Sequence, residues 1–481
     1  MTASCVSFAR CISSGRAVLF RIAPLCLLAI TVLFAACGKD TASQDSPEDA
    51  PSDTAQVTQA SAPAPLPSAD LCDPDNGGLT LPEGFCAKVV ADTLGETRHL
   101  AVSESGDIYA ALRSPRNGNG MVALRDTSGD LVADRIEYFG EDVGGTGIGI
   151  HKGHLYFGPD TAIWRYEMSK TAFLPTGDKE VIVSGFLEQR SHAVKPFAFD
   201  GQGNMYVNVG APSNACQEPS RTAGAPGQDP CPQLERQAGV WQFSDDTPNQ
   251  TQMEDGERYA TGIRNAVAIA WNDVANNLYV MQHGRDQLHS LWPELYTQEE
   301  SAELPGEEFF KVDEGDDFGW PYCYYDWKYD QQKELAPEYG GDGTEVGRCS
   351  EKEAPLISFP GHWAPNDLLF YNHPNAPESH RGDAMIAFHG SWNRSPFPQQ
   401  GYNIGNVPMD GATPVRSDST GWAVFARGFA NQDTIDNPSQ AEYRPTGLAL
   451  GPDGSIYIAD DAKGRIWRVW PVEPSEATNP E

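Results

Sequence analysis

Histidine and arginine residues recur in this sequence beside short apolar runs, although the chain as a whole is acidic. Those that precede a run occur in Arg98-His99, Ser191-His192, Arg264-Asn265 and Tyr443-Arg444. Those that follow a run occur at Arg113, Gln282-His283 and His389, together with Asn208 and Asp460-Asp461. Imidazoles transfer protons near neutral pH, and guanidinium groups bind carboxylates in bidentate fashion. Together they predict a site for an anionic, multi-carboxylate cofactor beside a base.

The apolar runs belong to a repeated unit. Each copy has an alternating apolar run, a turn rich in Gly, Asn or Asp, and a second run that usually ends in an aromatic residue, which is typical of a β-hairpin. The six copies lie at residues 100–112, 147–157, 197–209, 268–280, 368–388 and 447–469. Their spacing, with insertions in the later units, predicts an all-β protein with the architecture of a six-bladed β-propeller. A pair of β-sandwiches is the alternative, but it would not explain why the same hairpin recurs.

A propeller also predicts where the polar residues gather. The innermost strand of a blade runs from one face to the other, and the second strand runs back. Residues just before the first run and just after the second therefore emerge on the same face, around the central channel. Loops at one end of a rigid scaffold commonly carry function, so we expect the histidines and arginines to form the functional site there. Taken singly, each is more often a solvated charge or a structural residue, so the prediction rests on their recurrence.

Five stretches carry a resemblance to a known family: SHAVKPFAFDGQGNMYVNVG, GIRNAVAIAW, FGWPYCYYDW, FHGSWNRS and RPTGLALGPDGSIYIADD. They resemble the sorbosone dehydrogenase and soluble glucose dehydrogenase family, to which fungal pyranose dehydrogenases are similar. The likeness covers residues 75–472. It implies a six-bladed propeller that uses pyrroloquinoline quinone (PQQ) and calcium to oxidise an aldose or related sugar. Electrons would then pass to a quinone or a soluble carrier.

The resemblance also implies roles for single residues. His192 matches the catalytic base, which takes a proton from the sugar hydroxyl while the carbon-bound hydrogen leaves as hydride to the quinone. Arg264 and Asn265 match the pair that holds PQQ. Arg444 matches a further arginine over the cofactor. Arg394 stands where the family uses a lysine toward a PQQ carboxylate.

The metal site and the departures from the family pattern follow from the same comparison. The backbone carbonyls of Gly284 and Arg285 fall where the family's Gly-Pro pair supplies oxygens to calcium, a hard cation that accepts such ligands. Arg285 replaces the proline of that pair. Ser191 replaces the aspartate that precedes the catalytic histidine in glucose dehydrogenases. The glutamine that lines the glucose site has no clear counterpart near 144–149.

Two other functions fit a propeller. A metal-dependent lactonase would need a channel lined by Glu, Asn and Asp ligands, whereas this face offers His and Arg. A non-catalytic propeller that binds glycans or proteins would make the recurring arginines and histidines accidental. Glu307 and Glu308 lie in a charged insertion, where we expect them to be solvated.

The N-terminus is typical of an export signal. Two arginines precede an apolar stretch, 22–36, which is too short for an ordinary spanning helix and ends in small residues directly before Cys37. This resembles a bacterial lipoprotein signal over residues 1–36, with Cys37 as the lipidated residue. An ordinary secretory signal in which Cys37 is incidental is the alternative. We expect the protein on the periplasmic face of a membrane, the outer one by the lack of a retention cue at Gly38, and in contact with it through the lipid anchor only.

Composition divides the rest of the chain and excludes some partners. Residues 37–70 are rich in Ala, Ser, Pro, Asp and Thr, which predicts a disordered tether before the propeller at 71–472 and a tail at 473–481. The formal net charge of -33 argues against nucleic acid as a partner.

Six cysteines remain after the signal and Cys37 are set aside. An even number in an exported protein predicts disulfides, and the sequence contains no CxxC or CxxCH motif that would indicate zinc or haem ligation. Fifteen pairings are possible. Pairing neighbours along the chain closes three short loops, so we expect Cys72–Cys86, Cys216–Cys231 and Cys323–Cys349.

Overall fold

The architecture is a six-bladed β-propeller, as the repeated hairpins predict. The computed structural model describes residues 63–416 and 420–472, and in these the regular structure is almost entirely strand. The first strand of the chain, β1 (Phe85–Ala91), is the outermost strand of the last blade. The first blade contains β2 (Thr97–Val102), β3 (Ile108–Arg116), β4 (Asn119–Arg125) and β5 (Arg135–Phe139).

The second, third and fourth blades follow in chain order. The second contains β6 (Gly145–His151), β7 (His154–Pro159), β8 (Ile163–Glu167) and β9 (Thr176–Ser184). The third contains β10 (Phe197–Phe199), β11 (Asn204–Val209), β12 (Gly239–Ser244) and β14 (Glu257–Thr261), while β13 (Gln250–Thr251) pairs in parallel with β9. The fourth contains β15 (Ala268–Asn272), β16 (Asn277–Gln282), β17 (Glu307–Val312) and β20 (Ile357–Phe359).

The last two blades complete the ring, and the N-terminal strand β1 belongs to the sixth. The fifth contains β21 (Pro365–Phe370), β22 (Ala384–Phe388), β23 (Asn403–Val407) and β26 (Ala423–Ala426). The sixth contains β27 (Pro445–Leu450), β28 (Ile456–Asp460) and β29 (Ile466–Pro471), and β1 completes it by pairing antiparallel with β29. This pairing closes the ring, because strands from the two ends of the chain share one sheet.

The insertions carry the remaining elements. Two short hairpins are β18 (Cys323–Asp326) with β19 (Gln332–Leu335), and β24 (Met409–Asp410) with β25 (Thr413–Pro414). The described residues contain two α helices, α1 (Leu288–Leu291) and α2 (Gln298–Glu303). Short 3-10 helices lie at Ala69–Leu71, Asn76–Gly78, Pro232–Glu235, Pro337–Tyr339, Gly347–Glu351 and Pro438–Gln440.

The hydrophobic core lies between neighbouring blades. Each sheet is covered on both faces, so strands such as β4 are buried almost throughout. Between the sixth and first blades, for example, Ile108 and Leu112 pack with Tyr457 and Ala459. The innermost strands β2, β6, β10, β15, β21 and β27 contact their neighbours around the ring. Burial of both faces thus fixes the six innermost strands, and their ends, around one channel.

The three predicted disulfides are confirmed: Cys72–Cys86, Cys216–Cys231 and Cys323–Cys349 are bonded.

The predicted segments at the two ends lie partly or wholly outside the described residues. The signal over 1–36, the lipidated Cys37, most of the tether and the tail at 473–481 are outside them and stay predictions. The last residues of the tether, 63–70, are described, and Ala64 O accepts a hydrogen bond of 2.9 Å from Asn375 Nδ2. No helix in the described part of the chain is long and apolar enough to cross a membrane.

Candidate functional site

A cavity of about 720 Å³ opens where the innermost strands end on one face of the propeller. Every blade contributes to it. The polar and aromatic residues that line it include Arg98, Arg113, Thr146, Asp160, Arg190, His192, Asn265, His283, Asn366, His389, Trp392 and Arg444. Most of them directly precede or follow the apolar runs of the repeated hairpins. The structure therefore brings together His192, Asn265 and Arg444, which lie far apart in the sequence.

His192 offers an unprotonated nitrogen to this cavity. Its Nδ1 lies 2.6 Å from Ala211 O, and a carbonyl only accepts, so Nδ1 carries the proton and Nε2 the lone pair. Nε2 has no hydrogen-bond partner among the described residues. Burial, together with the nearby positive charge of Arg264, lowers the pKa of His192 to about 3. The imidazole is therefore neutral near pH 7, with the Nε2 lone pair available as an acceptor.

The loop before β10 holds His192 in a left-handed conformation, with φ of 53°. Gln189 fixes that loop, because its Nε2 donates to Ser191 O (2.8 Å), His192 O (2.9 Å) and Gly210 O (3.0 Å). Strained backbone at a functional group persists only where its surroundings determine it this fully. No hydrogen bond joins the Ser191 side chain to the imidazole among the described residues. The Ala211 carbonyl therefore orients the ring.

Gly210 packs directly beneath His192, which gives a test of positioning. A Cβ on Gly210 would lie 2.6 Å from His192 Cβ and 2.7 Å from Asn265 Oδ1, closer than real contacts allow. We expect Gly210→Ala to displace the imidazole and to lower kcat by at least tenfold, with a much smaller change in the affinity for a ligand at the arginines. Steady-state kinetics alongside ligand titration measure both. Gly149→Ala in β6 is the control for adding a methyl group at a glycine, because its Cβ would come no closer than 3.3 Å to another atom, at the edge of the Phe197 ring.

His283 is a second neutral imidazole of the cavity. Its Nε2 lies 2.6 Å from Pro365 O and donates to it, which leaves Nδ1 as an acceptor. Burial lowers the pKa of His283 to about 4. Two adjacent blades thus each present an uncharged imidazole nitrogen.

Depressed histidine pKa values make folding stability depend on pH. Above pH 6.5 His192 and His283 are neutral in both the folded and unfolded chain, so they have no effect. Below pH 6.5 the unfolded chain binds protons that the folded chain excludes, so stability falls as pH falls toward the folded pKa values. Each histidine contributes about 1.4 kcal/mol per pH unit in that window. We expect the change in urea midpoint between pH 6.5 and 5 to be more destabilising in wild type than in His283→Gln, because other buried groups are the same in both proteins; an equal slope in both would contradict the pKa shift of His283.

Arg444, His389 and Asp461 form a connected cluster on the opposite wall. Arg444 Nη2 donates to Gly390 O (2.6 Å) and to His389 Nδ1 (3.0 Å), and His389 Nε2 donates to Asp461 Oδ1 (2.8 Å). Arg98 Nη1 also donates to Asp461 (2.8 Å). Although burial alone would raise it, His389 and Arg98 hold the pKa of Asp461 well below its usual range. The buried Asp461 carboxylate therefore holds the side chains of Arg98 and His389 in place at the cavity.

The cavity wall has an excess of positive charge. Of the four arginines that line it, only Arg98 forms an ion pair among the described residues. Asp160, which also lines the cavity, has its pKa raised by burial. Such a wall favours an anion, and Arg113 and Arg190 have exposed side chains free to meet one.

The model of the TrAA12-like family matches residues 79–471, which is the whole propeller. The chain belongs to the TrAA12-like family. This confirms, for the family and the fold, the resemblance carried by the sequence motifs.

Solved structures similar to this TrAA12-like chain share its fold. The holo PQQ domain of a pyranose dehydrogenase from Coprinopsis cinerea is 18% identical with a TM-score of 0.63, over 82% of this chain and 97% of that one. A Trichoderma reesei enzyme of carbohydrate-active family AA12 is 16% identical with a TM-score of 0.67, over 83% and 98%. The soluble aldose sugar dehydrogenase of Escherichia coli is 16% identical with a TM-score of 0.52, over 80% and 99%.

A curated relative matches only part of the TrAA12-like chain. An uncharacterized protein of Borreliella burgdorferi is 27% identical over 216 residues, which are 44% of this chain and 48% of that protein. The chain therefore spans about half the length of the curated relative it matches.

Arg264 lies behind the cavity of this TrAA12-like propeller and does not line it. Its guanidinium group is buried and donates to Gly284 O (2.8 Å), Asn214 Oδ1 (3.0 Å) and Asp286 Oδ2 (2.9 Å). Its ion pair with Asp286 keeps the guanidinium group outside the cavity, and the predicted direct contact of Arg264 with a cofactor stays a prediction. Arg264 acts on the site through space, by lowering the pKa of His192.

Arg394 also lies elsewhere. It is buried, and its guanidinium group donates to Ala302 O (2.7 Å), Glu303 Oε1 (2.7 Å) and Gly361 O (3.3 Å). Arg394 does not line the cavity, because the chain itself uses its donors, and its predicted contact with a cofactor carboxylate stays a prediction. Arg98, Arg113 and Arg190 provide guanidinium groups at the cavity instead.

The predicted calcium ligands, Gly284 and Arg285, do not line the cavity. Gly284 O accepts a hydrogen bond of 2.8 Å from Arg264 Nη1. The side chain of Arg285 is buried against Glu338. The assignment of their backbone carbonyls to calcium stays a prediction.

Glu307 and Glu308, expected in solvent, are buried. Glu307 accepts from Gly284 N (2.9 Å) and Ala364 N (3.1 Å), and burial raises its pKa to about 7. Glu308 pairs with Lys333 at 2.8 Å. The charged insertion thus supports the loops behind the site, because each carboxylate has backbone or ionic partners there.

Proposed function

We propose that this chain is a PQQ-dependent dehydrogenase that oxidises an aldose or related sugar, with His192 as the general base. One observation carries the proposal: the free lone pair of His192 faces the same cavity as an excess of arginine side chains. The similar Coprinopsis cinerea structure is the holo form of a PQQ domain, which supports the choice of cofactor. The family match supports oxidation of a carbohydrate.

The residues present fit a flat, multiply charged anion such as PQQ. Arg98, Arg113, Arg190 and Arg444 would hold its carboxylates. Asn265 Oδ1 is buried at the cavity without a hydrogen-bond partner in the described part of the chain, and would accept a hydrogen bond from a donor of the bound group. When bound, PQQ would supply a two-electron acceptor that takes hydride from the sugar carbon.

The chain's own residues perform the acid–base part of the reaction. His192 accepts the hydroxyl proton of the sugar at Nε2, since Nδ1 is already protonated. The Ala211 carbonyl at 2.6 Å then stabilises the imidazolium ion that forms. His283 Nδ1 accepts a hydrogen bond from another hydroxyl of the substrate. Trp392 stands at the cavity with 55% of its surface exposed, so its ring is available to cover a sugar face.

Reconstitution tests the proposal. The purified protein is incubated with PQQ and calcium, desalted, and assayed for dye reduction with a panel of aldoses and with sorbosone. We expect quinone absorbance to be retained after desalting and at least one sugar to drive dye reduction. Retention of no quinone, together with no activity on any sugar, would defeat the proposal. Electrons would pass in the cell to a quinone or a soluble carrier.

A further inference from the structure

The hairpin of β18 and β19, inserted between strands of the fourth blade, brings three carboxylates together. These are Asp326, Asp330 and Glu334, and one oxygen of each lies within 4.8 Å of the other two. Asp326 and Glu334 are buried, at 3% and 0% exposure, whereas Asp330 is exposed. The cluster is therefore a pocket of acidic groups that is open to solvent at the turn.

No cation of the described residues balances this cluster. Among them no lysine, arginine or histidine forms an ion pair with any of the three carboxylates. Lys333 reaches Glu308 instead (2.8 Å), and Lys328 reaches Glu303 (3.7 Å). Two buried carboxylates beside a third are costly when nothing positive accompanies them.

Glu334 also has an oxygen without a partner. Its Oε2 accepts from the Tyr324 hydroxyl at 2.7 Å, while Oε1 is fully buried and has no hydrogen-bond partner among the described residues. An unpaired buried oxygen destabilises the folded state unless a ligand meets it. Glu334 Oε1 is thus a preformed acceptor, and neighbouring carboxylate oxygens complete the set.

We propose that a calcium ion binds in this hairpin between Asp326, Asp330 and Glu334. Calcium takes six to eight oxygen ligands at about 2.3–2.6 Å, so oxygens up to 4.8 Å apart lie within one coordination sphere. A set made only of carboxylates selects hard cations over zinc or copper. Water completes the sphere on the exposed side of Asp330. This site shares no residue with the cavity and does not depend on the proposed function.

Binding would connect the exposed turn to the interior. Asp326 already accepts from the backbone N–H groups of Lys328 and Tyr329, both at 2.8 Å, which fixes its carboxylate at the turn. Tyr324 joins Glu334 to the Tyr296 hydroxyl through two contacts of 2.7 Å. A cation therefore ties the turn to this buried chain of hydroxyls, and we expect it to raise the thermal midpoint of the protein.

Terbium luminescence tests the site on the intact protein, after chelation and without PQQ. Trp327 and Tyr325 lie beside the cluster in sequence and would sensitise bound terbium. We expect saturable luminescence that calcium displaces, and a calcium-induced rise of several degrees in the thermal midpoint. Asp330→Asn, at an exposed position, should weaken calcium competition by at least tenfold and remove the thermal shift. Asp178→Asn, an exposed aspartate without a hydrogen-bond partner among the described residues, should behave as wild type.

The proposal would be overturned by the absence of saturable luminescence, by a calcium response in Asp330→Asn equal to that of wild type, or by displacement by magnesium as effective as by calcium. Glu334→Gln provides a second variant that keeps the side-chain shape. If it alters the thermal midpoint but leaves calcium competition unchanged, Glu334 is no ligand and the site is wrong. His192→Ala should leave the terbium signal intact, which separates this site from a failure at the cavity.

Discussion

His192→Ala should lower kcat/KM by 10²–10⁴-fold while leaving PQQ uptake nearly unchanged. The side chain presents the Nε2 lone pair to the cavity, and it carries no charge with which to attract the cofactor. Removal therefore costs the proton transfer and little binding energy. Dye-reduction kinetics and retained quinone absorbance, measured on the same preparation, give the two quantities.

One control variant tests whether that result is specific to His192. His154→Ala removes a histidine on β7 whose Nδ1 contacts Lys152 O (3.0 Å) and which does not line the cavity. It should leave both quantities unchanged. An equal loss of turnover and cofactor uptake in His192→Ala would show that the imidazole holds the cavity together and is not the base.

Arg444→Gln should weaken PQQ binding by about 10–150-fold and leave kcat at saturating PQQ within a few-fold of wild type. A hydrogen bond to a charged group contributes about 1.5–3 kcal/mol, which corresponds to that range. Arg444 is partly buried, and its Nη2 donates to His389 Nδ1 and Gly390 O, so its charge acts in a partly desolvated setting. Fluorescence or calorimetric titration with PQQ measures the affinity.

The matched variants separate charge from geometry. Arg444→Lys keeps the charge but loses the planar fork, so we expect an intermediate affinity. Arg427→Gln removes an exposed arginine that does not line the cavity and should bind PQQ as wild type does. If Arg427→Gln weakens binding as much as Arg444→Gln, the attraction is a general effect of the protein's charge.

The sequence predicts the fold well because the signal is repeated and local. Hairpins such as Ile108–Arg116 with its neighbours show the period of two that strands require, and burial between blades preserves it. Each disulfide joins two cysteines that are neighbours along the chain, so the rule of pairing neighbouring cysteines was sufficient to predict all three bonds. Blade geometry then places residues such as His192 and Arg444 at one end of the channel without any knowledge of their side chains.

The direction of a side chain was not predictable in the same way. Arg264 precedes an innermost strand just as Arg444 does, but Asp286 and Asn214 turn it inward through contacts with loops distant in sequence. Gln189 holds the base through three carbonyls, and no motif marks it. The repeated hairpin pattern predicts the face of the propeller on which a residue lies. Hydrogen-bond partners in the inserted loops then determine whether its side chain reaches the cavity.

The most direct measurement is the absorbance of bound quinone after an anaerobic pulse of sugar, in protein reconstituted with one PQQ per chain. The proposal predicts that the quinone absorbance disappears in wild type within one turnover, and persists in His192→Ala loaded with the same amount of PQQ. Quinone that stays oxidised in wild type with every aldose tested, or that is reduced equally fast in His192→Ala, would contradict it.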